Sequence, residues 1–164
     1  MHVTRMSMAP LEIPFRQAFT HASAVRRSTE AVLVKVEAAS GLTGMGEGCP
    51  RRYVTGETVE SALEFFRRHQ DEWRGLITLD DVRSWMTSHA KLIDANPAAW
   101  SAVEIGFLDL LAKESALPIE RLLGGKILAG RFSTRRCWVR SHGRSSRNNC
   151  GTTWRRGSWT TSSR

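Results

Sequence analysis

Polar and apolar residues alternate in the first part of the chain. Between residues 28 and 39, three valines alternate with bulkier or charged neighbours, and β-branched residues in such a pattern favour a strand. Residues 1–9 alternate more loosely, and Pro10 limits their continuation, which is typical of an edge strand. Residues 45–49 return after a glycine-containing turn at residues 41–44. These features predict a three-stranded antiparallel meander.

The pattern changes to a helical one after Glu57. Apolar residues recur at three- and four-residue intervals from there to Trp73, which predicts an amphipathic, half-exposed helix. Thr78 and Asp81 have the spacing of a capping box and predict the start of a second helix, whose apolar positions extend to Ile93. Strands followed by helices are the order of an α+β domain, in which helices cover one side of an antiparallel sheet.

Residues 96–125 form a segment too apolar to be stable without a surrounding shell. Asn96 can cap a helix with its side chain, and Pro97 suits the first helical position, where a missing N–H costs nothing. Apolar residues lie around most of the circumference, which predicts a helix that is buried on most sides. Pro118 can open a short further helix, which the following glycine pair ends.

Residues 16–27 have no clean period, and we expect a loop there. The segment contains a cation, hydroxyls, an aromatic ring and an imidazole. Binding loops commonly carry such groups, so this segment is a candidate for ligand contact.

The composition fits one ordinary domain. The chain has 164 residues, of which 41% are hydrophobic, enough to bury a core. No segment approaches the roughly 18 to 20 continuous apolar residues of a membrane span, and the first residues lack the order of a signal peptide. We therefore expect a cytoplasmic protein. The three cysteines show no CxxC spacing, so neither a disulfide framework nor a zinc site is indicated.

The formal net charge of +8 belongs to one end of the chain. Residues 1–130 contain 15 basic and 16 acidic residues, whereas residues 131–164 contain nine arginines and no acidic residue. Of these last 34 residues, 29 are Arg, Ser, Thr, Gly, Cys or Trp. The first part is therefore close to neutral, and only the tail is basic.

Two interpretations of the tail are open. It could be a disordered basic arm, with Trp138, Trp154 and Trp159 placed to stack on single-stranded nucleic acid. Alternatively, it is a GC-rich coding sequence read out of frame, because arginine occurs without lysine, and tryptophan and cysteine occur in a polar background. We favour the frameshift and expect any nucleic-acid binding by the tail to be non-specific.

Three segments occur in a fixed order: VLVKVEAASGLTGMGEG, CPRRYVTGET and NPAAWSAVEIGFLDLLAKESALPIERLLGG. Together they resemble the N-terminal capping domain of the enolase superfamily, in its mandelate racemase and muconate lactonizing enzyme branch. The segment GEGCPRRYVTGET is similar to dipeptide epimerases and to o-succinylbenzoate synthase and N-acylamino acid racemase relatives. The resemblance covers residues 1–128, which we interpret as the capping domain, and leaves residues 129–164 as a disordered tail.

The resemblance implies a chemistry that this chain cannot carry out alone. Members of the family abstract the proton α to a carboxylate and form an enediolate held by Mg²⁺. Their Lys or His bases and three acidic metal ligands lie in a barrel that follows the LLGG region. The tail contains no carboxylate and no lysine, so we expect no catalytic residue and no metal site in this chain. Magnesium belongs to the intact family.

The resemblance also implies a role for two cap loops, residues 16–27 and 50–55, which would close over the barrel and read the substrate. The residues expected to contact substrate are Phe19, Thr20, His21, Arg51, Arg52 and Tyr53. Arginines suit an acidic or acylated amino-acid end group, which favours a dipeptide or an N-acylamino acid as the small carboxylate substrate. The same residues would also fit a solvated turn, a packed tyrosine anchor and a surface histidine.

Two further alternatives concern the protein as a whole. The missing barrel domain could be a separately encoded partner, which would make this chain the cap of a split enzyme. Outside enzymes, the basic tail would suit a nucleic-acid-binding module. Our leading hypothesis is a truncated cap of a racemase or epimerase that is inactive alone.

Overall fold

The computed structural model describes residues 2–21, 24–125, 150–155 and 158–163, with side chains for residues 2–18 and 25–125. The chain divides into two units, Met1–Gly125 and Lys126–Arg164. The elements, in chain order, are β1 (Val3–Leu11), β2 (Pro14–His21), β3 (Ala24–Ser28), β4 (Ala31–Ala38), β5 (Thr43–Gly48), α1 (Val59–Trp73), α2 (Leu79–Ser88), α3 (Ala90–Ala95), α4 (Pro97–Glu114), α5 (Ile119–Leu122), β6 (Cys150–Arg155) and β7 (Ser158–Ser163). None of the described helices is long and apolar enough to cross a membrane.

The first unit contains an antiparallel sheet with the strand order β1-β4-β5. This confirms the predicted α+β fold with its three-stranded meander, and it places β1 at an edge. Strand β1 continues past the predicted limit, because Pro10 pairs with Val32 and the strand ends at Leu11. An edge strand tolerates proline where its missing N–H would not face a partner.

The prediction of a loop at residues 16–27 was wrong. Strands β2 and β3 pair there as an antiparallel hairpin, with Phe19 opposite Arg26 and Thr20 opposite Val25. Residues 14–18 of the hairpin are exposed, and Val25 is 62% exposed. Since neither described part of this hairpin buries an apolar face, the sequence lacks the alternation by which buried strands are recognised.

The helices begin largely where the sequence predicts. In the capping box of α2, the Thr78 hydroxyl accepts the Asp81 N–H at 3.1 Å, and the Asp81 carboxylate accepts the Thr78 N–H at 2.8 Å. The predicted second helix is interrupted at His89, where the backbone leaves the helical region at φ −116° and ψ 24°. It therefore consists of two helices, α2 and α3, and His89 Nδ1 lies 3.0 Å from the Trp85 carbonyl oxygen at this break.

The core lies between the sheet and helices α1, α2 and α4. The three alternating valines of β4 are fully buried, as are Trp73, Phe107 and Leu110. Trp85 stacks on Trp100 with a centroid distance of 4.5 Å and an interplanar angle of 23°. Helix α4 buries nine residues, among them alanines, Trp100 and Phe107, which agrees with the prediction of a largely buried helix.

Helix α4 lies directly on strand β5 because the strand carries glycine at each facing position. A Cβ atom at Gly44, Gly46 or Gly48 would lie 2.1, 2.0 or 2.2 Å from a main-chain oxygen of α4. The oxygens belong to residues four apart along the helix, Gly106, Ala102 and Ala98. This close approach fixes the start of α4 beside the end of β5, where the candidate loop begins.

The described part of the second unit is a β-hairpin formed by β6 and β7, in which Trp154 pairs with Trp159. Threonine and tryptophan favour strands, and both segments contain them. These two segments thus differ from the disorder expected for residues 129–164. The rest of that tail, including residues 129–149, lies outside the described residues.

Candidate functional site

The 50–55 loop is held at its first residues by main-chain contacts. Pro50 is fully buried. The Arg51 guanidinium donates to the carbonyl oxygens of Pro50, at 2.8 Å, and Glu30. The N–H groups of Val54 and Thr55 both donate to the Arg51 carbonyl oxygen at 2.9 Å. Arg51 therefore organises the loop from within, using both its side chain and its backbone.

The tip of the loop presents its side chains to solvent. Tyr53 is 54% exposed and Val54 is 68% exposed, and Arg52 is also exposed. Gly56 then turns the chain with a φ of 79°, in the left-handed region that glycine adopts without strain. Of the three loop residues expected to contact substrate, Arg52 and Tyr53 thus lie at the tip, whereas Arg51 lies at the base.

Glu57 follows the loop and is buried, with 3% of its surface exposed. One carboxylate oxygen accepts the N–H of Ala98 at 2.9 Å, and the other accepts the N–H of Ala99 at 3.0 Å. These are first-turn N–H groups of α4, which have no partner within a helix. Asn96 precedes α4 as predicted but forms no side-chain cap; its amide donates to Leu92 instead, at 3.0 Å.

A cavity of about 420 Å³ adjoins the loop and the start of α1. Arg52, Glu57 and Glu60 are among the residues that line it, and its volume lies within the range of small-molecule sites. The pKa of Glu60 lies below its ordinary value, chiefly because the carboxylate accepts its own backbone N–H and the Thr58 hydroxyl, with a smaller contribution from the charge of Arg52. The cavity therefore contains both signs of charge.

The other predicted contacts lie on the β2–β3 hairpin. Phe19, Thr20 and His21 occupy the last positions of β2, where the backbone pairs with residues 24–26; their side chains are outside the described residues. Glu30 connects this hairpin to the loop, because its carboxylate pairs with Arg26 of β3 at 3.1 Å while its carbonyl accepts from Arg51. The structure thus joins the two predicted binding segments through one residue.

Sequence reasoning missed Glu30 and Glu57. Glu30 lies outside the segments that carry the family resemblance, and Glu57 lies within CPRRYVTGET without any local sign of its role, because its partners are more than forty residues further along the chain. In the part of the chain that the structure describes, no group of three or more His, Cys, Asp or Glu side chains could hold a metal ion.

Residues 2–124 match the family described as mandelate racemase / muconate lactonizing enzyme, N-terminal domain. The chain belongs to this family. The resemblance identified from the sequence motifs is therefore confirmed, and with it the enolase-superfamily fold of the first unit.

Curated relatives and solved structures agree with this assignment. The chain is 30% identical over 127 residues to a hydrophobic dipeptide epimerase from Enterococcus faecalis, covering 76% of this chain and 35% of the relative. It is 33% identical over 121 residues to an L-Ala-D/L-Glu epimerase from Bacteroides thetaiotaomicron, covering 73% and 30%. A dipeptide epimerase from Cytophaga hutchinsonii, complexed with Mg and the dipeptide D-Ala-L-Val, matches with a TM-score of 0.68 and 27% identity over 77% of this chain and 34% of that one. The chain thus spans about a third of the length of these relatives.

Proposed function

We propose that residues 1–128 are the substrate-reading cap of a Mg-dependent racemase or epimerase that acts by removing the proton α to a carboxylate. The observation that carries this proposal is the exposed tip of the 50–55 loop, fixed to the β2–β3 hairpin through Glu30. The loop and the hairpin belong to a fold that is similar to that of dipeptide epimerases. The substrate is a small carboxylate, either a dipeptide or an N-acylamino acid.

Within this cap, Arg52 and Tyr53 contact the substrate from the loop, and Phe19, Thr20 and His21 contact it from the hairpin. Arg51 supports the tip, because its guanidinium already donates to two carbonyl oxygens. A guanidinium at position 52 would pair with a carboxylate or acyl oxygen at the distal end of the substrate, the contact for which arginine geometry is suited.

The cap does not catalyse by itself. The reaction requires a base and acidic metal ligands, and residues 131–164 contain neither carboxylate nor lysine. In this proposal a barrel domain supplies both. The tail is the product of a frameshift, and resequencing the coding DNA across codons 126–135 tests that part: an uninterrupted, unshifted reading frame would contradict it.

A chimera tests the cap function. Residues 1–125 would replace the matching N-terminal third of the Enterococcus faecalis epimerase, and proton exchange at the substrate α-carbon would be measured across a dipeptide library. We expect a folded chimera whose dipeptide preference differs from that of the parent and depends on Arg52. Arg52→Gln should raise KM for the preferred dipeptide, whereas Arg121→Gln, a change of an exposed arginine on α5, should not. A folded chimera with an unchanged preference would contradict the proposal.

A further inference from the structure

Glu57 occupies the junction of three elements of the first unit. It directly follows the 50–55 loop and Gly56, it directly precedes Thr58, the N-cap of α1, and its side chain contacts the start of α4. It is the buried charged residue of the described core. Burying a carboxylate is costly unless hydrogen bonds compensate, so its position requires the two contacts that it makes.

Both carboxylate oxygens are used at α4. The N–H groups of Ala98 and Ala99 point at them at 2.9 and 3.0 Å, and the positive end of the helix dipole favours a negative charge there. Two bonds from adjacent backbone groups fix both the position and the rotation of the carboxylate. Helix α4 packs with its backbone directly against β5. Glu57 is therefore hydrogen-bonded to a helix that the sheet holds in place.

The opposite end of the loop is also tied. Pro50 is buried, and the Arg51 guanidinium donates to the carbonyl oxygens of Pro50 and Glu30. Between these two ties, the N–H groups of Val54 and Thr55 return to the Arg51 carbonyl. The exposed tip is thus a short bridge between two fixed ends, and its conformation depends on both.

We infer that Glu57 is the positioning residue of the 50–55 loop: by binding the start of α4, it holds Arg52 and Tyr53 in one conformation. The inference rests on the proposed function only in one respect, namely that Arg52 and Tyr53 at the tip contact the substrate. The arrangement of the loop itself is independent of any substrate.

The test is residue-resolved amide hydrogen exchange, measured by NMR on the full chain and on two variants. Glu57→Gln keeps the size of the side chain but places an NH₂ group against a backbone donor. Glu64→Gln removes the same charge from the partly exposed face of α1. We expect Glu57→Gln to accelerate exchange at Val54, Thr55, Ala98 and Ala99 about tenfold or more, which corresponds to about 1.4 kcal/mol. Exchange at Val34 and Val36 of β4, which are fully buried, should accelerate only by the loss of global stability that urea unfolding of the same variant measures, and Glu64→Gln should leave all six amides unchanged.

Two results would overturn the inference. Faster exchange confined to Ala98 and Ala99 would make Glu57 a helix cap with no effect on the loop. Unchanged exchange at all four loop and α4 amides would show that the Glu57 contact holds neither element in place. Should Glu57→Gln fail to fold, native-state exchange of the unaltered chain in low denaturant decides instead. Loop and α4 amides that open in one common step support the inference, and separate steps refute it.

The exchange experiment contains no substrate, so its failure would not contradict the proposed cap function. Equally, an inactive chimera would not contradict the exchange result.

Discussion

The carboxylate of Glu57 accepts the main-chain N–H of Ala99, 42 residues away in sequence, at 3.0 Å in the buried interior. This contact performs the capping that Asn96 was expected to provide. It also makes the start of α4 dependent on a residue that lies 42 positions earlier in the sequence. Local sequence around residue 96 selects where α4 begins, whereas Glu57 supplies the acceptor for its first-turn donors.

Replacing Glu57 by alanine should therefore destabilise the fold. The buried N–H group of Ala99 and the partly buried one of Ala98 would lose a charged acceptor, and we expect the free energy of unfolding to fall by about 2–3 kcal/mol. Urea unfolding followed by circular dichroism measures the change. Glu64→Ala, on the partly exposed face of α1, should change stability by no more than about 0.5 kcal/mol. Equal effects of the two substitutions would show that the Glu57 contact contributes little.

The contact between β5 and α4 gives a second prediction. In Gly46→Ala the new Cβ would lie 2.0 Å from the Ala102 carbonyl oxygen, so strand and helix backbones would have to separate. We expect a loss of about 3 kcal/mol, the upper part of the range for overpacked cores. Gly75→Ala is the matched control, since its Cβ would approach only the Glu72 carbonyl, at 3.3 Å, at an exposed position. Similar unfolding midpoints for the two variants would contradict the close packing.

These contacts show which parts of the structure the sequence could predict. Local signals were sufficient for the valine strand, for the Thr78–Asp81 capping box and for Pro97 at the first position of α4, because each depends on neighbours in sequence. The β2–β3 hairpin was missed because its described side chains are mainly exposed and leave no apolar alternation.

The residues of the candidate site likewise fall into those that the sequence could predict and those that it could not. The tip residues Arg52 and Tyr53 came from a family resemblance, and their exposure is compatible with the proposed contact. The residues that frame the tip, Glu30 and Glu57, depend on contacts between distant segments. No pattern within either segment specifies such a pair, so only the folded structure reveals it.

The α2 capping box predicts a dependence on pH. The Asp81 carboxylate accepts hydrogen bonds from the Thr78 side chain and from the N–H groups of Thr78 and Ile77. These contacts lower the pKa of Asp81 below its ordinary value. A carboxylate with a lowered pKa contributes stability above the unfolded-state value, about 3.9, and loses it as pH falls through the lower folded value. Asp81→Asn should therefore have a lower melting temperature than the unaltered chain at pH 7.

The same comparison at low pH provides the check. The difference in melting temperature between Asp81→Asn and the unaltered chain should shrink as the solution is acidified below about pH 4. Asp94→Asn, a substitution at an exposed position of α3, serves as the control. A difference that stays constant from pH 7 to pH 3 would show that protonation of Asp81 is not its source.

The chain alone should not exchange α-protons. With Mg²⁺ present, dipeptides and N-acylamino acids in deuterated buffer should retain their α-protons when incubated with purified chain, because the proposed base and metal ligands lie outside it. Proton NMR of the substrate measures this directly, with an intact dipeptide epimerase as the positive control. Exchange that co-purifies with the chain and disappears on Arg52→Gln would overturn the proposal that the cap is inactive alone.

The last prediction concerns apolar residues at the end of the first unit. Ile105 on α4 is 42% exposed, and Leu117, Ile119 and Leu123 around α5 are 46%, 36% and 49% exposed. If the proposed barrel normally covers them, the chain alone should bind a hydrophobic dye and aggregate. Replacing Leu117 and Leu123 by serine should lower both effects, while leaving unfolding within about 0.5 kcal/mol, because exposed side chains contribute little to the core.

The control is Val25→Ser, which removes an apolar side chain that is 62% exposed on the hairpin and should leave dye binding unchanged. Dye fluorescence and light scattering at matched concentrations measure the effects. A monomer that binds no dye and melts cooperatively above about 65 °C, beyond the usual mesophile range, would show that these residues need no cover. The hypothesis that a barrel normally packs on this surface would then be wrong, because a covering domain is required only where exposed apolar area lowers solubility or stability.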